Sequence, residues 1–457
     1  MLSLAAGVAL LVFLAFRSRR NPLFLAGAAA FIALGRAAFV DIVPDQVLLS
    51  PMSIKTSDLV FAMLALGWLY ARRSRPTPCV GIRARWAWLA GLLAVFLALE
   101  YALAFSGAAG VHPMTVLPTR DWVYIPLGYL MTLDILRRFS TRETAEYVGV
   151  LCLLSTLLMV LYIASALNVP VYPYPKYFTT SYGGVTITRD FTTLPIWSGL
   201  AWGYYLSRPE KTGWVLAALA VLTAGTLLTY TRSLVLIAVG VAVLAALLSV
   251  AHRDVRARTL VVGGPVLLLA LGVVIAGSAL MPAQYGYLES RFGMMQYSGT
   301  SISDRNISIR MQRFESARQA AALVDPVFGA GLVDASPDDA GREHSSYDSD
   351  WIRILYRTGW AGVVVFLAPL VLGIWWGARE FLTQPAGGPT HRLLLMGVLA
   401  ASYALATRFT GMVYFWWPAL SLFALAVVAY ASGFQTDVEA ESEHGQTGSE
   451  REVVSPS

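Results

Sequence analysis

The chain is short of charge. Only 14% of its 457 residues are Asp, Glu, Lys or Arg, while 56% are hydrophobic; soluble domains carry about 25% charged residues. That deficit excludes an ordinary water-facing globule and suits a surface turned to lipid, where ionised side chains are costly. Cysteine is nearly absent. Cys79 falls in a basic loop and Cys152 in an apolar run, which argues against a disulfide framework. There is no P-loop and no dinucleotide fingerprint. No cluster of His, Cys and carboxylates has metal-ligand spacing, and two spaced aspartates, Asp348 and Asp350, do not by themselves make a divalent-ion site. Neither a metal nor another cofactor is therefore expected. No repeat is visible, which counts against an inverted-repeat transporter.

What is present is a succession of apolar runs. A membrane-crossing helix needs about 20 apolar residues. Candidate spans lie near 2–16, 22–40, 58–71, 86–108, 121–136, 147–167, 192–207, 213–229, 233–250, 259–281, 351–378, 393–409 and 412–431. The expected fold is an all-α polytopic membrane protein of about 12–13 transmembrane helices with one large extracytoplasmic loop containing short helices. Residues 1–281 carry helices 1–10, and 282–350 form the loop. Residues 351–431 carry helices 11–13, and 432–457 form an acidic cytoplasmic tail expected to be disordered. The apolar first sixteen residues lack a preceding basic region and a cleavage site, and read as a retained helix rather than a signal peptide.

Basic residues set the orientation. Arg17, Arg19 and Arg20 follow the first span; Arg72, Arg73, Arg75, Arg83 and Arg85 follow the third. Arg137, Arg138 and Arg142 follow the fifth, Arg208 and Lys211 the seventh, Arg253, Arg256 and Arg258 the ninth, and Arg379 and Arg392 bracket the loop after the eleventh. Every second loop is basic, which places those loops in the cytoplasm. The formal charge of +6 is explained by the same rule, and no nucleic-acid partner is expected.

Seven arginines break that rule: Arg36, Arg120, Arg189, Arg232, Arg353, Arg357 and Arg408 fall on the outer side. One such residue reads as an interfacial anchor that snorkels, or as a partner for Glu100, Asp121, Asp190 or Asp350. Seven on one face suit an anionic lipid-linked substrate, because guanidinium forks match phosphate oxygens. Arg232 sits in TYTRS, a very short turn between two apolar runs, and Arg189 closes a longer outer loop in TITRDFTTLP.

The long loop carries His344 where a polar stretch meets the bilayer surface, just before the span that begins at Trp351. An imidazole with an ordinary pKa near 6.5 suits proton abstraction around neutral pH. Of the other histidines only His112 is expected outside; His252, His391 and His444 fall on cytoplasmic segments. Upstream, residues 307–323 place Ile307, Met311, Phe314, Ala317 and Ala321 near one helical face and spread Arg310, Arg313 and Arg318 over the rest, the pattern of an amphipathic helix at a membrane. Pro326, Gly329 and Gly331 then break it.

At these residues the chain resembles the O-antigen ligase and O-antigen polymerase superfamily of bacterial membrane glycosyltransferases. Matching features follow in order: Arg189 before a span, Arg232 in a Thr-Arg-Ser turn, and a long outer loop. That loop holds an arginine, an amphipathic helix, Pro326-x-x-Gly329-x-Gly331, His344-Ser-Ser-Tyr347 and Gly359-x-x-Gly362. The resemblance covers roughly residues 180–430 and implies a GT-C-like helical fold in the bacterial cytoplasmic membrane, with its active site facing the periplasm or exterior. It implies transfer of a glycan from undecaprenyl diphosphate to an acceptor hydroxyl, with inversion and without a metal. The acceptor would be a second glycan or a lipid-anchored core. His344 would be the general base, with Arg189 and Arg232 holding the diphosphate. Arg120, Arg310, Tyr347, Arg353 and Arg357 are further candidates for substrate contact. Many relatives have Asn-Pro after the first arginine and Asn after the histidine; TTLPIW and HSSYDSD stand here, which bears on the acceptor more than on the chemistry. The alternative, a transporter or flippase of anionic lipid-linked sugars, would need charges at mid-span, and the middle spans are almost charge-free.

Overall fold

Helix surfaces in this protein invert the soluble pattern. In the helix Ala84–Phe105, the exposed stripe is Trp88, Leu92, Val95, Leu99 and Leu103, while Trp86, Leu89, Leu93, Phe96 and Leu97 are buried. In Arg232–Ala251 the exposed residues Leu236, Val239, Val243, Leu247 and Val250 recur at the same helical interval. Both faces are apolar, so the outer one suits lipid and not water. Trp88 and Trp214 are 75% and 82% exposed near the starts of their helices, where amphipathic rings favour a membrane interface.

The computed structural model describes residues 46–49, 52–79, 81–105, 121–166, 179–182, 185–188, 212–229, 232–251, 325–329, 350–384, 388–410 and 426–433, with parts of 201–205, 282–287 and 311–319. Its helices are α1 (Thr56–Ser74), α2 (Ala84–Phe105), α3 (Asp121–Leu136), α4 (Thr141–Ala166), α5 (Thr212–Leu228), α6 (Arg232–Ala251), α7 (Asp350–Thr383) and α8 (Pro389–Thr410). Among the described residues, Ala84–Leu103, Leu234–Ala251 and Arg357–Thr383 are long and apolar enough to cross a membrane. Twenty residues at 1.5 Å each cover about 30 Å of hydrocarbon. Trp122–Leu136, Ser155–Ala164 and Gly213–Leu228 are shorter apolar stretches. The spans expected at 2–16, 22–40 and 259–281 lie outside the described residues, as does the tail from 434 onward.

Two small antiparallel hairpins accompany the helices, a feature the all-helical expectation did not include. Strands β1 (Gln46–Leu49) and β2 (Met52–Lys55) pair with Gln46 opposite Lys55, and β3 (Thr179–Tyr182) and β4 (Val185–Thr188) with Thr179 opposite Thr188. β2 runs directly into α1.

Helix α8 lies at the centre. Leu393 to Met396, Val398 to Ala401, Tyr403 and Ala404 are all buried, and α8 packs against α4, α6 and α7. Around it α2 meets α3 and α7, α1 meets α3, and α4 meets α5.

Polar contacts gather the helix ends next to the basic loops into one layer. Arg83 Nη1 donates to Glu380 Oε1 at 2.7 Å, joining the start of α2 to the end of α7, and Arg85 ion-pairs with the same carboxylate. Tyr430 accepts from Thr144 Oγ1 at 3.2 Å and donates to the Phe139 carbonyl at 2.7 Å. The loop after α1 is stapled to the loop after α3: Cys79 N donates to Arg137 O at 2.8 Å, and Arg138 Nη1 to the carbonyls of Arg75 and Pro76 at 2.5 and 2.7 Å. Cys79 and Cys152 are free thiols.

Helix α4 starts six residues before its apolar run because Ser140 and Glu143 form a capping box. Ser140 N donates to Glu143 Oε2 at 2.9 Å, and Glu143 N to Ser140 Oγ at 3.3 Å. Arg75 closes the arrangement with a two-pronged pair at 2.7 and 3.0 Å. Hydrogen bonding from Arg75, reinforced by Ser140, pulls the Glu143 carboxyl down from 4.5 to about 2. Since the folded value is the lower, the pair stabilises above pH 4.5 and loses that contribution as pH falls towards 2. Both partners are 41% exposed, so the effect is small. Glu143→Gln should flatten the fall of Tm across that acidic window; an unaltered acid limb would refute the assignment.

Candidate functional site

The loop segment Asp325–Gly329 folds into a turn for local reasons. Asp325 Oδ1 accepts from Val327 N at 2.7 Å and Phe328 N at 3.1 Å, an Asx turn, and Gly329 N closes it onto the Asp325 carbonyl at 2.7 Å. Gly329 has φ 71°, a left-handed conformation that glycine adopts without strain.

Helix α7 breaks at Gly359, with φ 58° and ψ −161°. A break leaves the next N–H groups without helical partners. Here the turn supplies them: Trp360 N donates to Pro326 O at 3.3 Å and Ala361 N to Val327 O at 3.0 Å. The turn thus caps the second half of α7. A Cβ on Gly359 would stand 2.2 Å from Val327 O, and one on Gly329 would stand 2.5 Å from Gly359 N and 2.8 Å from Arg357 O. Only glycine lets the two backbones approach so closely. Pro326-x-x-Gly329 and Gly359-x-x-Gly362, thirty residues apart in the chain, are two halves of one junction.

Phe328 anchors the turn in an apolar cluster of Leu93, Phe96 and Leu97 from α2, Trp122 and Ile125 from α3, and Ile354 and Phe366 from α7. Trp122 meets Phe366 edge-on at 4.9 Å. Glu100 continues the inward stripe of α2 one turn beyond Phe96 and Leu97. It is fully buried, and neither carboxylate oxygen has a hydrogen-bond partner among the described residues. An ionisable residue inside an apolar span is a functional candidate in its own right. In the sequence Glu100 is a lone carboxylate in a span, which reads there as a counter-charge for an arginine.

The anticipated site residues divide by what the structure describes. Arg357 is half-buried two residues before the Gly359 break. The backbones of Arg232 and Arg353 are placed, at the first residue of α6 and in the first turn of α7; their side chains lie outside the described residues. His344, Arg189, Arg120, Arg310 and Tyr347 lie outside them altogether. The turn bearing Arg232 is short, since α5 ends at Leu228 and α6 begins at Arg232. It is pinned by Tyr162, whose hydroxyl donates to Leu228 O at 3.0 Å, and by Thr229 Oγ1, which donates to Thr226 O at 2.6 Å.

Of the amphipathic segment 307–323, the described residues 311–312, 314–315 and 318–319 are helical. Arg318 pairs with Glu315 at 2.5 and 2.9 Å and Gln319 donates to the same carboxylate at 3.0 Å, contacts that helical spacing brings together.

These features define a helical membrane protein in which a loop is clamped to a broken helix by paired glycines. Comparison with models of known protein families and with curated proteins gives no match to this chain.

Proposed function

We propose that the protein is an inverting glycosyltransferase that moves a glycan from undecaprenyl diphosphate to an acceptor hydroxyl at the outer face of the bacterial cytoplasmic membrane, of the ligase or polymerase type. The observation that carries the reading is the ordered set Arg189, Arg232, Pro326-x-x-Gly329, His344 and Gly359-x-x-Gly362. Support comes from the turn-and-kink junction, in which two of those motifs meet backbone to backbone.

In this reading His344 takes the proton of the acceptor hydroxyl as its oxygen attacks the sugar carbon. The bond from that carbon to the diphosphate oxygen breaks, and the lipid diphosphate leaves as an anion. Arg189 and Arg232 stabilise the charge that develops on it, which needs no proton from the enzyme. Arg120, Arg310, Tyr347, Arg353 and Arg357 contact the glycan or diphosphate. Five residues lie between His344 and the start of α7, a tether of at most about 20 Å, so clamping Gly329 against Gly359 restricts the loop at both ends.

The test is glycan transfer in membranes carrying correctly inserted protein. His344→Ala and Arg232→Ala should each lower turnover roughly 10²–10³-fold. Undiminished transfer in both variants would reject the proposal.

A further inference from the structure

The other end of α3 carries a second constellation, built around Asp134. This carboxylate accepts from Trp68 Nε1 at 2.7 Å and Arg72 Nε at 3.0 Å, and Arg137 Nε lies 2.6 Å from its second oxygen. Arg138, whose side chain is only 4% exposed, ion-pairs with it at 3.3 Å. Three guanidinium groups therefore share one carboxylate, an excess of two positive charges.

The three arginines are not equivalent. Arg138 is used up internally, because its Nη1 holds the carbonyls of Arg75 and Pro76 and its Nη2 faces Asp134. Arg72 donates to Asp134 through Nε and Arg137 ion-pairs with it through Nε, and among the described residues the Nη groups of both have no protein acceptor. Arg72 is braced against the Trp68 ring at 4.5 Å and its side chain is 52% exposed. Two guanidinium groups held at one carboxylate, each with its Nη donors still available, offer the kind of donor that binds phosphate oxygens.

The surroundings specify what carries the phosphate. Leu66 and Leu69 of α1, and Leu127 and Leu130 of α3, are exposed within three turns of Arg72 and Arg137 along the same helices. The ligand that fits is thus a phosphate head with apolar tails running along α1 and α3. We propose that Arg72 and Arg137 form a site for the headgroup of an anionic phospholipid, at the end of the bundle away from the turn-and-kink junction. The site is independent of the transfer reaction proposed above, and Asp134 acts in it as the residue that orients both forks.

The experiment uses the full-length protein in detergent, with retained lipid counted by native mass spectrometry and Tm followed as lipid is added. Phosphatidylglycerol should be retained and should raise Tm, whereas phosphatidylcholine should do neither. Arg72→Gln combined with Arg137→Gln should weaken phosphatidylglycerol retention about tenfold or more, as expected when charged hydrogen bonds are lost. Arg73→Gln removes the same charge from a neighbouring exposed residue that makes no contact with Asp134, and should change retention less than twofold by the same reasoning. Equal losses in Arg73→Gln and the fork variant would overturn the site in favour of general surface charge. A Tm rise with inorganic phosphate alone that matches the rise with phosphatidylglycerol would overturn the lipid assignment in favour of a free-anion site. If the Gln variant does not fold, Arg72→Lys with Arg137→Lys keeps the pairing to Asp134 and loses the forks. Several-fold weaker retention in that variant supports the proposal, and unchanged retention refutes it.

Discussion

Asp134→Ala should destabilise the protein by about 3–5 kcal/mol, the cost of removing one partner from a buried ion pair. Its carboxylate accepts from the Trp68 indole and Arg72 Nε and ion-pairs with Arg137, and among the described residues it is the acceptor for both of those donors. Taking it away leaves Arg138 buried with its Nη2 uncompensated and three like charges side by side. The damage should spread, because Arg138 also holds the loop after α1 through the carbonyls of Arg75 and Pro76. Asp134→Asn keeps one acceptor oxygen for the indole and should lose less. Thermal unfolding in detergent reads both, and a Tm for Asp134→Ala equal to wild type would show that the arginines find other partners.

Gly359→Ala should be nearly as damaging, for a different reason. A left-handed backbone costs an L-residue about 1–2 kcal/mol, and here the added methyl group would also stand 2.2 Å from Val327 O. The hydrogen bonds from Trp360 and Ala361 to the turn would have to break or lengthen. Two readouts should move together: a lower Tm and, on the proposed function, a fall in glycan transfer as the loop carrying His344 loses its clamp. Gly240→Ala is the control, since a Cβ there meets nothing within 4 Å; it should leave both unchanged. If Gly359→Ala behaves like Gly240→Ala, the junction has no structural role.

Apolar runs made most helices legible. Residues 121–136 were expected as a span, and α3 occupies Asp121–Leu136. Where bounds differ, polar end residues are the cause. The run at 58–71 becomes Thr56–Ser74 because Arg72 and Arg73 continue the last turn with their charged heads at the surface. The run at 147–167 becomes Thr141–Ala166 because hydropathy does not register a capping box. The β3–β4 hairpin left a trace in Gly183-Gly184 between two Thr-rich segments, a turn signal overlooked beside the stronger hydropathy pattern. Pairings were not legible. Each glycine of the junction reads as a helix breaker, and nothing in a single chain says that one break caps the other. Likewise Arg72 and Asp134 are visible as a basic loop residue and a carboxylate near a helix end, 62 positions apart, and only the fold makes them partners.

The burial of α8 on every side has a consequence for how the chain is made. From 393 to 401 every residue is buried, so this stretch of α8 faces protein on all sides and not lipid. It follows α7 after a connection of only five residues, Gln384 to Gly388, and rests along it. The two should therefore enter as one helical pair, with the strongly apolar α7 retaining its companion until the rest of the bundle closes round it.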